Sequence, residues 1–217
     1  MINGYTNSVT ATISVDSNPL GVAVNSLTNT IYVININSDT VSVINGSNNT
    51  VTATVGVSAS PSGVAVNSVS NTIYVANNSS DTVSVINGYT NTLTTTISVG
   101  TDPSGVAVNS STNTIYVANW SSDTVSVING YNNSVTATIS IMYLSYGTSP
   151  YGVAVDSSTN TIYVANSYGS NTVCVINGSN NTVTAFISVG SSPDAVAVNS
   201  PNVTPIISVT NTIYVVN

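Results

Sequence analysis

Seven carboxylates, twelve phenols and one thiol are the ionisable side chains of this 217-residue chain; it has no Lys, Arg or His, and all seven acids are Asp. Without His, Lys or Glu, the commonest general bases, Schiff-base amines and zinc ligands are missing. Hydrolase and metalloenzyme readings are disfavoured. A formal charge of -7 with no side-chain cation also removes the phosphate contacts that nucleic-acid affinity needs. Nucleic acid and anionic membrane surfaces are therefore excluded as expected partners, and no run approaches the roughly 18 apolar residues of a membrane span.

The acids that remain fall at recurring positions. Asp39, Asp81 and Asp123 each precede a Thr, and Asn171 takes the fourth place. Such a ring offers hard oxygen ligands to calcium, the one metal this composition suits. The alternative is an Asx-type turn whose carboxylate takes backbone N-H groups. Because an amide serves equally at the fourth position, the turn is expected, and no catalytic, metal or cofactor site is assigned. Asp156 stands where other copies carry Asn25, Asn67, Asn109 and Asn199, and one carboxylate among amides makes a poor active site. Cys174 lies inside the alternation Thr172-Val173-Cys174-Val175, which predicts a buried small hydrophobe rather than a redox centre.

Two further sets are candidates for binding or modification. Asn-x-Ser/Thr sequons occur at Asn45, Asn48, Asn77, Asn78, Asn109, Asn119, Asn132, Asn177, Asn180 and Asn202. Large apolar and aromatic residues gather at Trp120, Met142, Tyr143, Leu144, Tyr146, Tyr151 and Tyr168. If their loops share one rim, these side chains form a sugar platform or a subunit contact, since aromatic rings supply contact area at low entropic cost.

What must position all of these is a repeat. Val-Ala-Val recurs at Val22, Val64, Val106, Val153 and Val196, and the Tyr of Thr-Ile-Tyr-Val at Tyr32, Tyr74, Tyr116, Tyr163 and Tyr214. The Tyr spacing is 42 residues twice, then 47 and 51, which locates insertions near 142–151 and 200–209. Each unit holds four runs of four to eight residues rich in Val, Ile, Thr and Tyr, bounded by Pro, Gly, Asn or Ser, and reads as four strands, A to D. Strand D alternates Val51, Ala53 and Val55 with Thr50, Thr52 and Thr54, as a strand with one packed face requires. Asn-Gly at Asn3, Asn45, Asn87, Asn129 and Asn177 joins C to D, where a tight hairpin tolerates positive φ.

The prediction is an all-β, five-bladed β-propeller in one domain, 1–217. Its closing blade is shared between the termini: Met1-Ile-Asn-Gly aligns with the end of strand C, strand D follows to residue 15, and 193–217 supply strands A and B. The residues equivalent to Asn78 through Ser84 are then lacking. A three-stranded blade, a longer chain or a neighbouring subunit each accounts for the gap.

Asn71-Thr-Ile-Tyr-Val-Ala-Asn77, with Gly-Val-Ala-Val-Asn before it and Val-Ser-Val-Ile-Asn-Gly after it, resembles the YVTN-type β-propeller repeat of archaeal surface-layer and other extracellular proteins. That resemblance implies an exported, structural or adhesive protein at the cell surface. The outermost strands carry no interior charge, whereas soluble β-proteins commonly guard exposed edges with Lys. Together these lead to the expectation of a non-enzymatic, self-assembling surface-layer or filament subunit, a homo-oligomer. A glycan- or surface-binding adhesion module is the alternative, with glycans as partners, and a propeller lactonase-like enzyme the minor one.

Overall fold

The computed structural model of the chain describes residues 1–143, 147–199 and 212–216. Four blades are complete antiparallel sheets of four strands. The first runs β3 (Pro19–Asn25), β4 (Thr30–Asn35), β5 (Thr40–Asn45) and β6 (Thr50–Gly56). The second comprises β7 (Pro61–Asn67), β8 (Thr72–Asn77), β9 (Thr82–Asn87) and β10 (Thr92–Ser98). The third comprises β11 (Pro103–Asn109), β12 (Thr114–Asn119), β13 (Thr124–Asn129) and β14 (Ser134–Ser140). The fourth comprises β15 (Pro150–Asp156), β16 (Thr161–Asn166), β17 (Thr172–Asn177) and β18 (Thr182–Ser188). The fifth is represented by β19 (Ala195–Asn199) and β20 (Thr212–Val216), with β1 (Ile2–Asn3) and β2 (Ser8–Val9) pairing at the N-terminus. The two terminal pairs, assigned from sequence to one closing blade, stand as separate two-stranded sheets. The insertion at 200–209 lies outside the described residues.

A local rule starts the strands. The residue before β4, β5 and β6 is left-handed, Asn29, Asp39 and Asn49 at φ 50, 52 and 60°, and each is followed by Thr. Asn and Asp tolerate this region better than other non-glycine residues, and the β-branched Thr then enters the strand. The Asn-Gly expectation is corrected here. The glycine has no positive φ; it is needed for close approach, because a Cβ at Gly88 would sit 2.6 Å from Asn71 Oδ1 and 2.7 Å from the Asn71 carbonyl. Left-handed φ falls instead on the last turn residue, Asn91 at 53°. Strand D keeps its alternation only beyond a bulge: Thr52 Oγ1 donates to the Val43 carbonyl where the register slips, and Val55 is buried while Val51 is exposed.

The core lies between blades, not within them. Tyr32, Ile34, Val41, Val43 and Val55 of the first blade close on Ile73, Val75 and Ile86 of the second, and the same constellation recurs at the next two interfaces. Asn ladders link the same interfaces: Asn25 Nδ2 donates to Asn71 Oδ1, Asn67 to Asn113 and Asn109 to Asn160, each at 2.7 Å. A fully buried amide paired in this way avoids the penalty of an unmade hydrogen bond.

Candidate functional site

The five innermost strands face a common cavity of about 420 Å³. A ring of valines, Val22, Val64, Val106, Val153 and Val196, gives it an apolar wall. Glycines beside these valines let neighbouring strands approach backbone to backbone; a Cβ at Gly152 would stand 2.7 Å from the Asp194 carbonyl. One repeat position is not repetitive. The residue after the first proline of strand A is Leu20, Ser62, Ser104, Tyr151 and Asp194 in successive blades, and the last four line the cavity.

Their roles differ. Ser62 Oγ donates to the Pro103 carbonyl at 2.8 Å and Ser104 Oγ to the Pro150 carbonyl at 3.0 Å, so both hydroxyls bind the next blade and neither is poised as a nucleophile. Tyr151 is 43% exposed. Asp194 is exposed too, and Ser167 Oγ donates to its Oδ1 at 2.8 Å; among the described residues no donor reaches Oδ2. Among the described residues Asp194 is the one carboxylate lining the cavity, and sequence reasoning missed it because attention to acids at strand C passed over the start of the fifth strand A. Aligning the five proline-following positions would have found it.

The acids at strand C behave as turn residues. Asp39 Oδ1 accepts from Ser60 N-H, Asp81 Oδ1 from Asp102 N-H and Asp123 Oδ1 from Thr148 and Ser149 N-H, all between 2.7 and 2.9 Å, and Asn171 Oδ1 accepts from Ser192 N-H at 3.0 Å. Each fastens one blade's B-C turn to the next blade's entry. Asp156 is fully buried and accepts from Ser158 and Thr159 hydroxyls at 2.6 and 2.9 Å. Burial, and secondarily the Asp156 charge, raises the phenol pKa of Tyr163. Cys174 is buried, and desolvation pushes its thiol up to about 12, which leaves it protonated and inert at neutral pH.

The aromatic set is divided rather than gathered. Tyr143 turns outward onto Phe186 of β18, ring centroids 4.8 Å apart, while Tyr151 lines the central cavity. Trp120, Met142 and Tyr168 are exposed on separate loops at 41, 52 and 72%; Leu144 and Tyr146 lie outside the described residues. The sequons divide as well. Asn48, Asn132 and Asn180 are exposed, and each accepts through Oδ1 from the hydroxyl of its own sequon, Thr50, Ser134 or Thr182. Asn45 and Asn177 cap their turns through Ser47 and Ser179 N-H, and Asn78 is half-buried. Asn77, Asn109 and Asn119 are fully buried and hydrogen-bonded internally, so a glycan there would require the strand to open. Asn202 lies outside the described residues.

No family model and no curated protein matches the sequence. Solved structures do match in fold. Hydrazine synthase of Kuenenia stuttgartiensis superposes with a TM-score of 0.75 at 24% identity over 86% of this chain and 54% of that one. Virginiamycin B lyase from Staphylococcus aureus superposes with a TM-score of 0.74 at 12% identity over 90% of this chain and 66% of that one. The chain thus spans about half the length of the first and 66% of the second. Both are enzymes, which overturns the expectation of a non-enzymatic, self-assembling structural subunit; the physical ground of that expectation, uncharged strands and few acids, describes the outer strands and does not bear on the central cavity. At these identities the likeness establishes one thing about the chain: it is a β-propeller.

Proposed function

We propose that the chain is a propeller enzyme, or the propeller unit of one, whose reactive surface is the central cavity at Tyr151 and Asp194. The observation that carries this is the most variable position of the inner strand, Leu20, Ser62, Ser104, Tyr151 and Asp194, which places one phenol and one carboxylate on a shared cavity. Variation at a cavity-lining position is what ligand selection requires, whereas packing between blades favours repetition. Proteins similar in fold that are named as enzymes, one of them a lyase, support the reading.

The reaction within reach of one carboxylate is elimination. Asp194 Oδ2 takes a proton from the carbon next to a carbonyl, the electron pair forms the double bond, and the bond to the leaving group breaks with its electrons on that group. Ser167, hydrogen-bonded to Oδ1, fixes the carboxylate's orientation. Tyr151 stands at the same cavity as a proton donor to the leaving group. The step consumes no water and needs no imidazole or ammonium, in keeping with the composition.

The test is turnover of cyclic esters bearing a leaving group β to a carbonyl, run in oxygen-18 water and followed by mass spectrometry. Product free of oxygen-18, with loss of turnover in Asp194→Asn, is the expected result. Label in the product identifies hydrolysis of the lactonase kind instead, and full activity in Asp194→Asn removes this cavity from the reaction. We further assign the repeat to the YVTN type and the chain to an extracellular setting, on the recurring Thr-Ile-Tyr-Val and the exposed sequons Asn48, Asn132 and Asn180; intact-mass measurement of native material reads the glycans directly.

A further inference from the structure

A second cavity, of about 300 Å³, lies at the junction of the second and third blades and shares no residue with the central one. Its polar lining is neutral: Ser70, Thr72, Asn87, Thr94 and Asn133. Tyr89 borders it with 73% of its surface exposed, an unusual setting for a large ring with no described ring partner. Two buried polar atoms at this place have no hydrogen-bond partner. One is Asn133 Oδ1 in the lining; the other is Tyr74 Oη, which lies directly behind Gly130, 2.8 Å from where a Cβ would be. Buried polar groups are nearly always paired, so the orphaned Asn133 Oδ1 in the lining leaves an acceptor for a ligand hydroxyl.

An exposed aromatic face, hydroxyls and amides in place of charges, and unpaired buried oxygens describe the recognition of an uncharged polyhydroxylated ring. The apolar face of a pyranose stacks on the phenol, while its hydroxyls, each both donor and acceptor, meet amides and hydroxyls without the desolvation cost of an ion. We propose that this groove is a binding site for neutral pyranose sugars, with Tyr89 as the stacking platform. A chain with no Lys or Arg offers nothing to a sugar acid, which sets the selectivity.

The repeat supplies a second site and an internal control. One blade on, Thr114, Asn129, Tyr131, Thr136 and Asn181 occupy the corresponding positions, with Tyr131 79% exposed and Asn181 Oδ1 likewise buried without a partner. One blade back, the ring is replaced by Ser47, while Asn45, Thr52 and the orphaned Asn91 Oδ1 are retained. The groove between the first and second blades therefore has the polar lining without the platform.

The experiment is an NMR titration of the intact chain with the methyl glycosides of glucose, mannose and galactose, and with glucuronic acid. Saturable binding at two sites by at least one neutral glycoside, and none by glucuronic acid, is expected. Tyr89→Ala and Tyr131→Ala each remove one site, the lost stacking weakening binding about tenfold or more. Ser47→Tyr creates a third. Because these three side chains are exposed, melting temperatures should not move, and Asp194→Asn leaves the stoichiometry at two, which separates this site from the central cavity. Absence of saturable binding by every neutral glycoside overturns the proposal, as does binding that survives both tyrosine substitutions.

Discussion

Tyr116 and Tyr214 occupy the same place in the same strand of the same repeat, yet one is 1% exposed and the other 59%. The contrast extends along the whole inter-blade face. Ile97 and Ile139 are 7% exposed and their counterpart Ile187 is 46%; Val106 is 9% exposed and Val22 65%. Residue type is constant across each pair, so burial here depends on the strands alongside: β12 has β13 beside it in its own sheet, whereas β20 has only β19 among the described residues. The fourth blade loses cover at Ile187 because no described C or D strand of a fifth blade lies over it, and an apolar groove lined by Val173, Ile187, Val189, Ile213 and Val215 opens there. Among the described residues, the interior interfaces are the ones closed on both sides.

The largest expected effect tests that division directly. Tyr116→Ala should cost about 3–5 kcal/mol in chemical denaturation, as large aromatic truncations in cores do, while Tyr214→Ala should cost less than about 0.5 kcal/mol. Equal losses would show that the terminal face is covered in solution. Next, Ile139→Ala should cost about 2–5 kcal/mol and Ile187→Ala under about 1 kcal/mol, measured the same way. A large effect at Ile187 would again point to a covering element.

Alkaline pH sharpens the comparison from another side. Burial raises the pKa values of Tyr32 and Tyr116, and takes Tyr74 up to about 12. The unfolded phenols ionise near 10, so the native state retains protons that the unfolded state gives up. Stability is accordingly full below pH 10 and falls as pH rises from there through the folded values. Tyr74→Phe should flatten part of that fall. At neutral pH it should leave stability unchanged or raise it by about 1 kcal/mol, since Tyr74 Oη is buried without a partner. A loss at neutral pH would reveal a hydrogen bond to bound water.

The smallest effect concerns the one blade whose buried hydroxyl is replaced. The side-chain amides of Asn77 and Asn119 contact Ser84 Oγ and Ser126 Oγ at 3.0 and 2.9 Å, whereas the corresponding position in the fourth blade is Cys174. Asn166 keeps only its Thr172 hydroxyl contact of this pair, at 3.0 Å. Cys174→Ser should restore the second contact and change the melting free energy by no more than about 1 kcal/mol, in the stabilising direction.

Much of this was legible in the chain because a five-fold internal alignment averages out local ambiguity. Strand order, the antiparallel C-D hairpins, the turn role of Asp39, Asp81 and Asp123, and the burial of Cys174 all follow from residue type and position relative to the period. Less legible were features that depend on a side chain's partner two strands or one blade away. The glycine of Asn-Gly is selected by Asn71 and its equivalents across the turn, not by its own φ. Tyr143 and Tyr151 are eight positions apart but diverge, one toward Phe186 and one toward the central cavity. Asn77, Asn109 and Asn119 satisfy the sequon pattern while their amides are committed to the blade interior.

The sequence by itself determined the repeat, the strands, the turn role of Asp39, Asp81 and Asp123 and the absence of cationic side chains, since each is written in residues close together along the chain. Only the tertiary structure decided which tyrosines are buried, that Asp194 and Tyr151 share a cavity, and where unpaired oxygens meet an exposed ring. Those outcomes depend on how successive blades stand against one another, and residues brought together from different repeats leave no local signature.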